Sequence, residues 1–233
     1  SLATTRDESK DQTYFLWKLA EKELKHVLFP LGDLLKTEVR EIAKEAGLSV
    51  ADKKDSQGIC FVGNVEVREF LKRRLVEKPG EVVNINGEVI GRHKGVAFYT
   101  IGERGGWELD PKIQKLKNSK NPACRQAGQN GDVTPVYYVI DKDAKANKLV
   151  VGERKGGMKN TFEVAELNIR DIEKSRLVRI RHGGELVGVK IDLQGQSLKV
   201  ETEKEIFGVA SGQSAVFYLP RRSGAKGGED DVV

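Results

Sequence analysis

Residues 81–93 read EVVNINGEVIGRH, and this stretch divides the chain into a helical part and a β part. Apolar Val82, Val83, Val89 and Ile90 flank Asn86-Gly87, the dipeptide that marks a two-residue β-hairpin turn. Upstream of Pro79-Gly80 the apolar period is helical. Leu16, Leu19, Ala20, Leu24 and Val27 predict a helix from Gln12 to about His26, with Ser9 and Gln12 spaced as a capping box. A second helix is expected over 34–46, capped by Asp33 and stopped by Gly47. A third is expected over 65–75 after Asn64. Between the last two lies ADKKDSQGICFVG, residues 51–63, read as a loop or a short buried strand.

Downstream of the hairpin, strands are expected at 96–101, 136–140 and 148–152, making a small β domain. Residues 108–134 are rich in Lys, Asn, Gln and Gly and read as a long exposed loop. From Thr161, the segments TFEVAEL, RLVRIRH, LVGVKIDL, SLKVET and QSAVFYL are closely spaced short strands that suit a small antiparallel barrel. The tail from Arg221 is polar and expected to fray. The fold class is therefore α+β and multidomain: a helical segment over 1–66, a central β domain over 67–155 with its insertion, and a C-terminal β-barrel over 156–233. Three amphipathic helices without a strand to pack on look like the back half of a domain, and predict exposed apolar surface and self-association.

Composition narrows the class. Of 233 residues, 32% are charged and 38% hydrophobic, and no apolar run nears the roughly 20 residues of a membrane helix. The opening SLATTRDESKD has no apolar or arginine-rich targeting pattern, so a cytoplasmic, membrane-free address is expected. Cys60 and Cys124 are too few for a disulfide framework and have no zinc spacing, so no metal site is expected. The net charge of +5 fits a polyanionic partner. No GxGxxG, GxxxxGK[ST] or HExxH motif occurs.

Several residues are candidates for chemistry, each with a plainer alternative. Cys60 in Ile-Cys-Phe-Val reads either as a buried small hydrophobe or as a thiol whose reactivity Lys53 and Lys54 would raise. In KDQTYFL, residues 10–16, Lys10 and Gln12 offer a phosphate contact and a base-edge contact, or Asp11 and Gln12 simply cap a helix. GRHKGVAFYTIGERGG, residues 91–106, interleaves Arg92, His93, Lys94 and Arg104 with Phe98 and Tyr99, as RNA-binding surfaces do, and equally as a solvated hairpin does. Arg179, Arg181 and His182, Gln213, and the loop lysines at 112, 115, 117 and 120 carry the same ambiguity.

In their order and spacing, KDQTYFL, FPLGDLLKTEVREIAKEAGL, KKDSQGICFVG, the GxxIGxHxGxxxYTIG-like stretch and SGQSAVFY resemble the tRNA-specific 2-thiouridylases, the MnmA/TrmU family, from Lys10 to Tyr218. The resemblance implies an adenine-nucleotide alpha-hydrolase-like (PP-loop) domain, of which 1–66 is the helical remainder, then the central domain and the barrel. It implies a tRNA-uridine 2-sulfurtransferase acting on the wobble uridine of Lys, Glu and Gln tRNAs. ATP with Mg would activate the C2 oxygen, and Cys60 would be the second catalytic cysteine, carrying a persulfide from a sulfur-donor or relay protein. Lys10, Asp11, Gln12, Arg181, His182 and Gln213 would contact tRNA, with His182 where an aromatic is common.

Departures from the family pattern bear on activity. The SGGVDS phosphate loop and the first catalytic cysteine are not in this sequence, so ATP would be bound by the upstream part or by a separate ATP-pyrophosphatase chain, and this chain alone is expected to be inactive. Cys124 does not match the missing thiol. The family's GQRKGL is GERGGW here, with Glu103 for an amide and Gly105 for a lysine. A rival reading is a non-catalytic tRNA-binding or persulfide-carrier module that works without adenylation.

Overall fold

The computed structural model describes residues 2–54, 67–111, 113, 136–168, 172–219 and 231–232. The chain divides into two compact units, one of Ser1–Asp55, Asn160–Glu205 and Ser211–Val233, the other of Ser56–Lys159 and Ile206–Ala210. In chain order the strands and helices are β1 (Leu2–Ala3), α1 (Glu21–Leu24), α2 (Lys36–Glu45), α3 (Val67–Lys72), β2 (Gly80–Val83), β3 (Val89–His93), β4 (Glu108–Leu109), β5 (Tyr138–Asp143) and β6 (Lys148–Gly152). They continue with β7 (Met158–Val164), β8 (Leu177–Arg179), β9 (Val187–Gln194), β10 (Ser197–Phe207), β11 (Val216–Tyr218) and β12 (Asp231–Val232).

The expected helix from Gln12 to His26 is not formed. In its place stand 3-10 turns at Glu8–Lys10 and Thr13–Leu16 and the single turn α1. Local hydrogen bonding and tertiary anchoring win over periodicity here. Asp7 Oδ1 accepts from Ser9 N at 3.1 Å and Ser9 Oγ at 2.6 Å, so Ser9 is itself held by a cap and does not pair with Gln12. Those bonds, Ser9's first among them, also hold the Asp7 carboxyl below its ordinary range. The α2 helix forms as expected but begins later, at Lys36. Glu38 Oε2 accepts from Leu35 N at 2.7 Å and Asp7 Oδ2 from Lys36 N at 2.9 Å, and these replace Asp33 as the cap. Gly47, at φ +65°, closes the helix with bonds from Gly47 N to Lys44 O and Leu48 N to Ala43 O, the paired pattern of a left-handed C-terminal cap. The third helix, Val67–Lys72, ends earlier than expected, and residues 64–66, Asn64 among them, lie outside the described residues.

Exposed apolar side chains gather in this first segment: Leu28 is 89% exposed and Leu31, Ile42, Leu48 and Val50 each more than half. Uncovered apolar surface was expected of helices lacking a sheet.

The central sheet runs β4-β3-β2-β6-β5. The hairpin is present, but its connection is a three-residue loop. Asn84 N bonds to Glu88 O, and Gly87, at φ +82°, takes the left-handed position of a bulged turn. The β2 and β6 strands pair in parallel, Val82 opposite Leu149, while the other pairs are antiparallel. Val82, Val139, Leu149 and Val151 are fully buried there, each worth roughly 1.5–3 kcal/mol by transfer from water. The strand expected over 96–101 is a 3-10 turn, Val96–Phe98. His93 explains why: its Nδ1 accepts from Gly95 N at 2.9 Å, and Gly95 sits at φ +146°, so the chain turns where periodicity alone would continue a strand. Residues 108–109, expected to open the long loop, pair with β3 as β4. The rest of that loop, with Cys124, is outside the described residues except 110, 111 and 113.

His93 is 2% exposed, and because Nδ1 accepts, its proton sits on Nε2 and is donated to Asn147 O at 3.1 Å. Asn147 takes the left-handed φ of +51° and also donates to Lys78 O and Pro79 O. Burial depresses the His93 pKa from 6.5. A depressed folded-state value means that the unfolded chain binds the proton more tightly. This contribution to stability is therefore complete above the ordinary value and lost as pH falls through the depressed one. Thermal unfolding of the wild type should show a loss of stability as pH falls below the ordinary imidazole value that His93→Gln flattens; parallel pH profiles would refute the role of His93.

The C-terminal sheet runs β1-β12-β11-β8-β9-β10-β7. All five strands expected from Thr161 onward are found, and in β10 the alternation is regular, with Leu198, Val200 and Thr202 turned inward. The expected barrel is not formed among the described residues: neither this sheet nor the central one closes. Closure of the larger sheet would require its outer strands, β1 and β7, to pair, and β1 offers only two residues for a ladder.

Among the described residues no helix is long and apolar enough to cross a membrane, and no group of three His, Cys, Asp or Glu side chains could hold a metal ion.

Candidate nucleic-acid interface

The residues singled out in KDQTYFL, VRIRHGG and SGQSAVFY are far apart in sequence and meet in one unit. Tyr14 makes the junction. Its ring is 8% exposed in a cluster with Val216 and Tyr218, and its hydroxyl lies 3.0 Å from Ile180 O and 2.9 Å from Ser214 O. One side chain thus ties the turn after Gln12 to the residue before Arg181 and the residue after Gln213. Burial raises its pKa, so the phenol stays protonated and able to donate.

Asp11 is directed inward. It is 5% exposed, accepts from Thr13 N at 3.1 Å and Thr13 Oγ1 at 2.9 Å, and pairs with Arg179 at 3.4 Å. The Arg179 guanidinium also lies 5.4 Å above the ring of Tyr218, which is fully buried. Lys10 and Gln12, on either side of Asp11, are exposed, and Gln12 makes no capping bond. Arg181 is half-buried, His182 exposed and Gln213 half-buried. The arrangement offers cations, an amide and a ring near one end of the paired strands β8 and β11, backed by a buried ion pair and an anchored phenol. Such a set can meet phosphates and unpaired bases. Cys60 lies outside the described residues.

Residues 91–106 behave differently. His93, Phe98 and Tyr99 are buried, so their rings are core and cannot stack on bases from solvent. The departures in GERGGW also find local reasons. Glu103 pairs with Arg68 at 3.1 Å and accepts from Thr100 N at 2.9 Å, and Gly105 takes φ +74°, a conformation that a lysine would strain to adopt.

Tyr14 was missed as an anchor because the helical period over this stretch was carried by Leu16, Leu19, Ala20, Leu24 and Val27, and Tyr14 lies outside it. The only sequence signal was a tyrosine directly following a polar run, and Tyr is a residue whose buried hydroxyl needs a partner.

Three family profiles match in succession: "tRNA methyl transferase HUP domain" over residues 1–64, "tRNA methyl transferase PRC-barrel domain" over 68–153 and "Aminomethyltransferase beta-barrel domain" over 162–225. Among curated relatives, the tRNA-specific 2-thiouridylase MnmA of Shewanella sp. (strain MR-7) is 40% identical over 223 residues, covering 91% of this chain and 55% of the relative. The protein of the same name from Lactococcus lactis subsp. cremoris (strain MG1363) is 35% identical over 91% of this chain and 54% of its own length. That from Blochmanniella floridana is 36% identical over 92% and 56%. The chain spans about half the length of the curated relatives it matches. With matching profiles along its length and this identity over nine-tenths of its residues, the chain belongs to the MnmA family of tRNA-specific 2-thiouridylases.

Proposed function

We propose that this chain serves tRNA-uridine 2-sulfurtransfer, placing sulfur from a Cys60 persulfide on C2 of an activated wobble uridine in Lys, Glu and Gln tRNAs. The observation that carries the tRNA part is the convergence of Lys10, Gln12, Arg181, His182 and Gln213 around Tyr14 in one unit. Family membership supports the sulfur part. Lys10 and Arg181 meet phosphates, Gln12 and Gln213 offer donor and acceptor groups, and His182 a ring. Asp11, turned inward, positions this surface through Arg179 and Thr13.

The chemistry suits a thiol. The terminal sulfur of a persulfide is a strong nucleophile; it forms the C–S bond as the activated C2 oxygen leaves, and the S–S bond to Cys60 is then cleaved by a second thiol. ATP with Mg supplies that activation. This sequence contains no glycine-rich phosphate loop, and none of its residues is assigned to ATP. The partners are then tRNA, a sulfur-donor or relay protein and an ATP-pyrophosphatase module, and the setting is cytoplasmic. The functional division is 1–66 with Cys60, 67–155 as central domain and 156–233 as tRNA-binding domain.

The direct test is 2-thiouridine formation on tRNA by this chain, with and without a separately supplied ATP-pyrophosphatase domain. Thiolation only with that domain supports the reading, whereas tRNA or persulfide binding with no thiolation in either case favours a carrier module. For binding, Lys10→Ala and Arg181→Ala are expected to weaken tRNA affinity and to lower the slope of log K against log salt by about 0.7–0.9 for each phosphate that is no longer neutralised. Titrations at three salt concentrations check this, and unchanged slopes would remove both residues from the interface.

A further inference from the structure

We propose that Phe15 and His182 together form a stacking platform for an unpaired base of the bound RNA. This rests on the tRNA reading above and adds to it a residue, Phe15, to which the KDQTYFL motif had given no role. In the turn Thr13–Leu16, Tyr14 points into the core while Phe15 points out and is 58% exposed. Its ring does not stand alone in solvent. The ring of His182, delivered by the segment that follows β8 and itself exposed, lies 4.6 Å from it, centroid to centroid, at an interplanar angle of 36°.

Two features make this pair a built surface. Tyr14 braces it, edge-on to Phe15 at 5.5 Å and 82° and 6.4 Å from His182, and Tyr14 is itself held by its hydroxyl, whose one proton lies between the acceptors Ile180 O and Ser214 O. The rings are thus pre-organised, so little side-chain entropy remains to be lost on binding. Arg181 adjoins His182 in the chain and acts electrostatically on the Tyr14 phenol, and exposed Lys10 and Lys18 flank the turn in sequence; cations with exposed rings are the combination that holds single-stranded RNA, where charge tracks the backbone while a ring face receives a base. A double helix could not use the rings, because its bases are already stacked. The platform therefore selects an unpaired nucleotide, of any base identity.

The test is binding of a tRNA anticodon stem-loop to the full chain, with Phe15→Ala, Phe15→Leu and Phe15→Tyr compared at several salt concentrations. Phe15→Ala and Phe15→Leu should each weaken binding roughly 5- to 100-fold with the salt slope unchanged, and Phe15→Tyr should bind as the wild type does. An RNA lacking one loop base should bind the wild type more weakly yet bind Phe15→Ala no worse than the intact RNA does. Wild-type affinity in Phe15→Ala, or in Phe15→Leu, would overturn the platform while leaving the tRNA reading in place. A wild-type chain without affinity for the stem-loop would overturn both. Unchanged thermal unfolding of the variants separates removal of the ring face from damage to the fold.

Discussion

Cys60→Ser, assayed with an ATP-pyrophosphatase domain and a sulfur donor, is expected to yield no detectable 2-thiouridine while adenylation of tRNA continues. The serine hydroxyl is nearly isosteric with the thiol but cannot hold a sulfane sulfur, and the attacking atom disappears with it. In the proposed reaction, activation of the C2 oxygen uses other groups, so the adenylated tRNA should persist. Nucleoside mass spectrometry after digestion measures the product, and transfer of labelled AMP to tRNA measures the step before it. Thiolation at the wild-type rate by Cys60→Ser would sink the persulfide assignment. Loss of both steps would assign Cys60 to the fold instead, as the buried hydrophobe that its Ile-Cys-Phe-Val setting also permits.

Asp11→Ala is expected to be the most destabilising single change in the interface, by about 3–5 kcal/mol, because it leaves the Arg179 guanidinium without its carboxylate in a site where the two side chains are only 15% and 3% exposed. The Thr13 bonds to the same carboxylate disappear too. Combining Asp11→Ala with Arg179→Met should recover most of that stability, since a long apolar side chain can still cover the Tyr218 ring without a buried charge. Urea unfolding of the two variants checks this. Equal instability of single and double variants would show that the Thr13 bonds, and not the ion pair, carry the effect. Binding should separate Asp11 from its neighbours: Asp11→Ala would lower tRNA affinity alike at every salt concentration, in contrast to Lys10→Ala.

How far the sequence could be read depended on the kind of signal. The C-terminal strands were legible because a two-residue period survives in any context where one sheet face is buried, as Leu198, Val200 and Thr202 show in β10. The α2 helix and its stop were legible because Gly47 meets a backbone requirement, a left-handed φ, that few other residues meet without strain. Residues 12–26 were misread because their spacing is helical, while Asp7 and Tyr14 offer the backbone stronger local and distant partners than the helix does. Aromatics beside basic residues misled at residues 91–106. Phe98 and Tyr99 are core, Phe15 is surface, and composition cannot tell the two apart.

By itself, then, the sequence determined which family this chain belongs to, where the five strands from Thr161 onward lie and where the α2 helix stops, because motif spacing and periodicity are properties of the chain read locally. The tertiary structure alone decided that Asp11 is a buried partner of Arg179 and not a solvent-facing one, that Tyr14 fastens three distant segments together and that the rings of Phe15 and His182 lie in contact. The physical reason is that burial and ring contact depend on residues brought together from opposite ends of the chain, and no local pattern of residues carries that information.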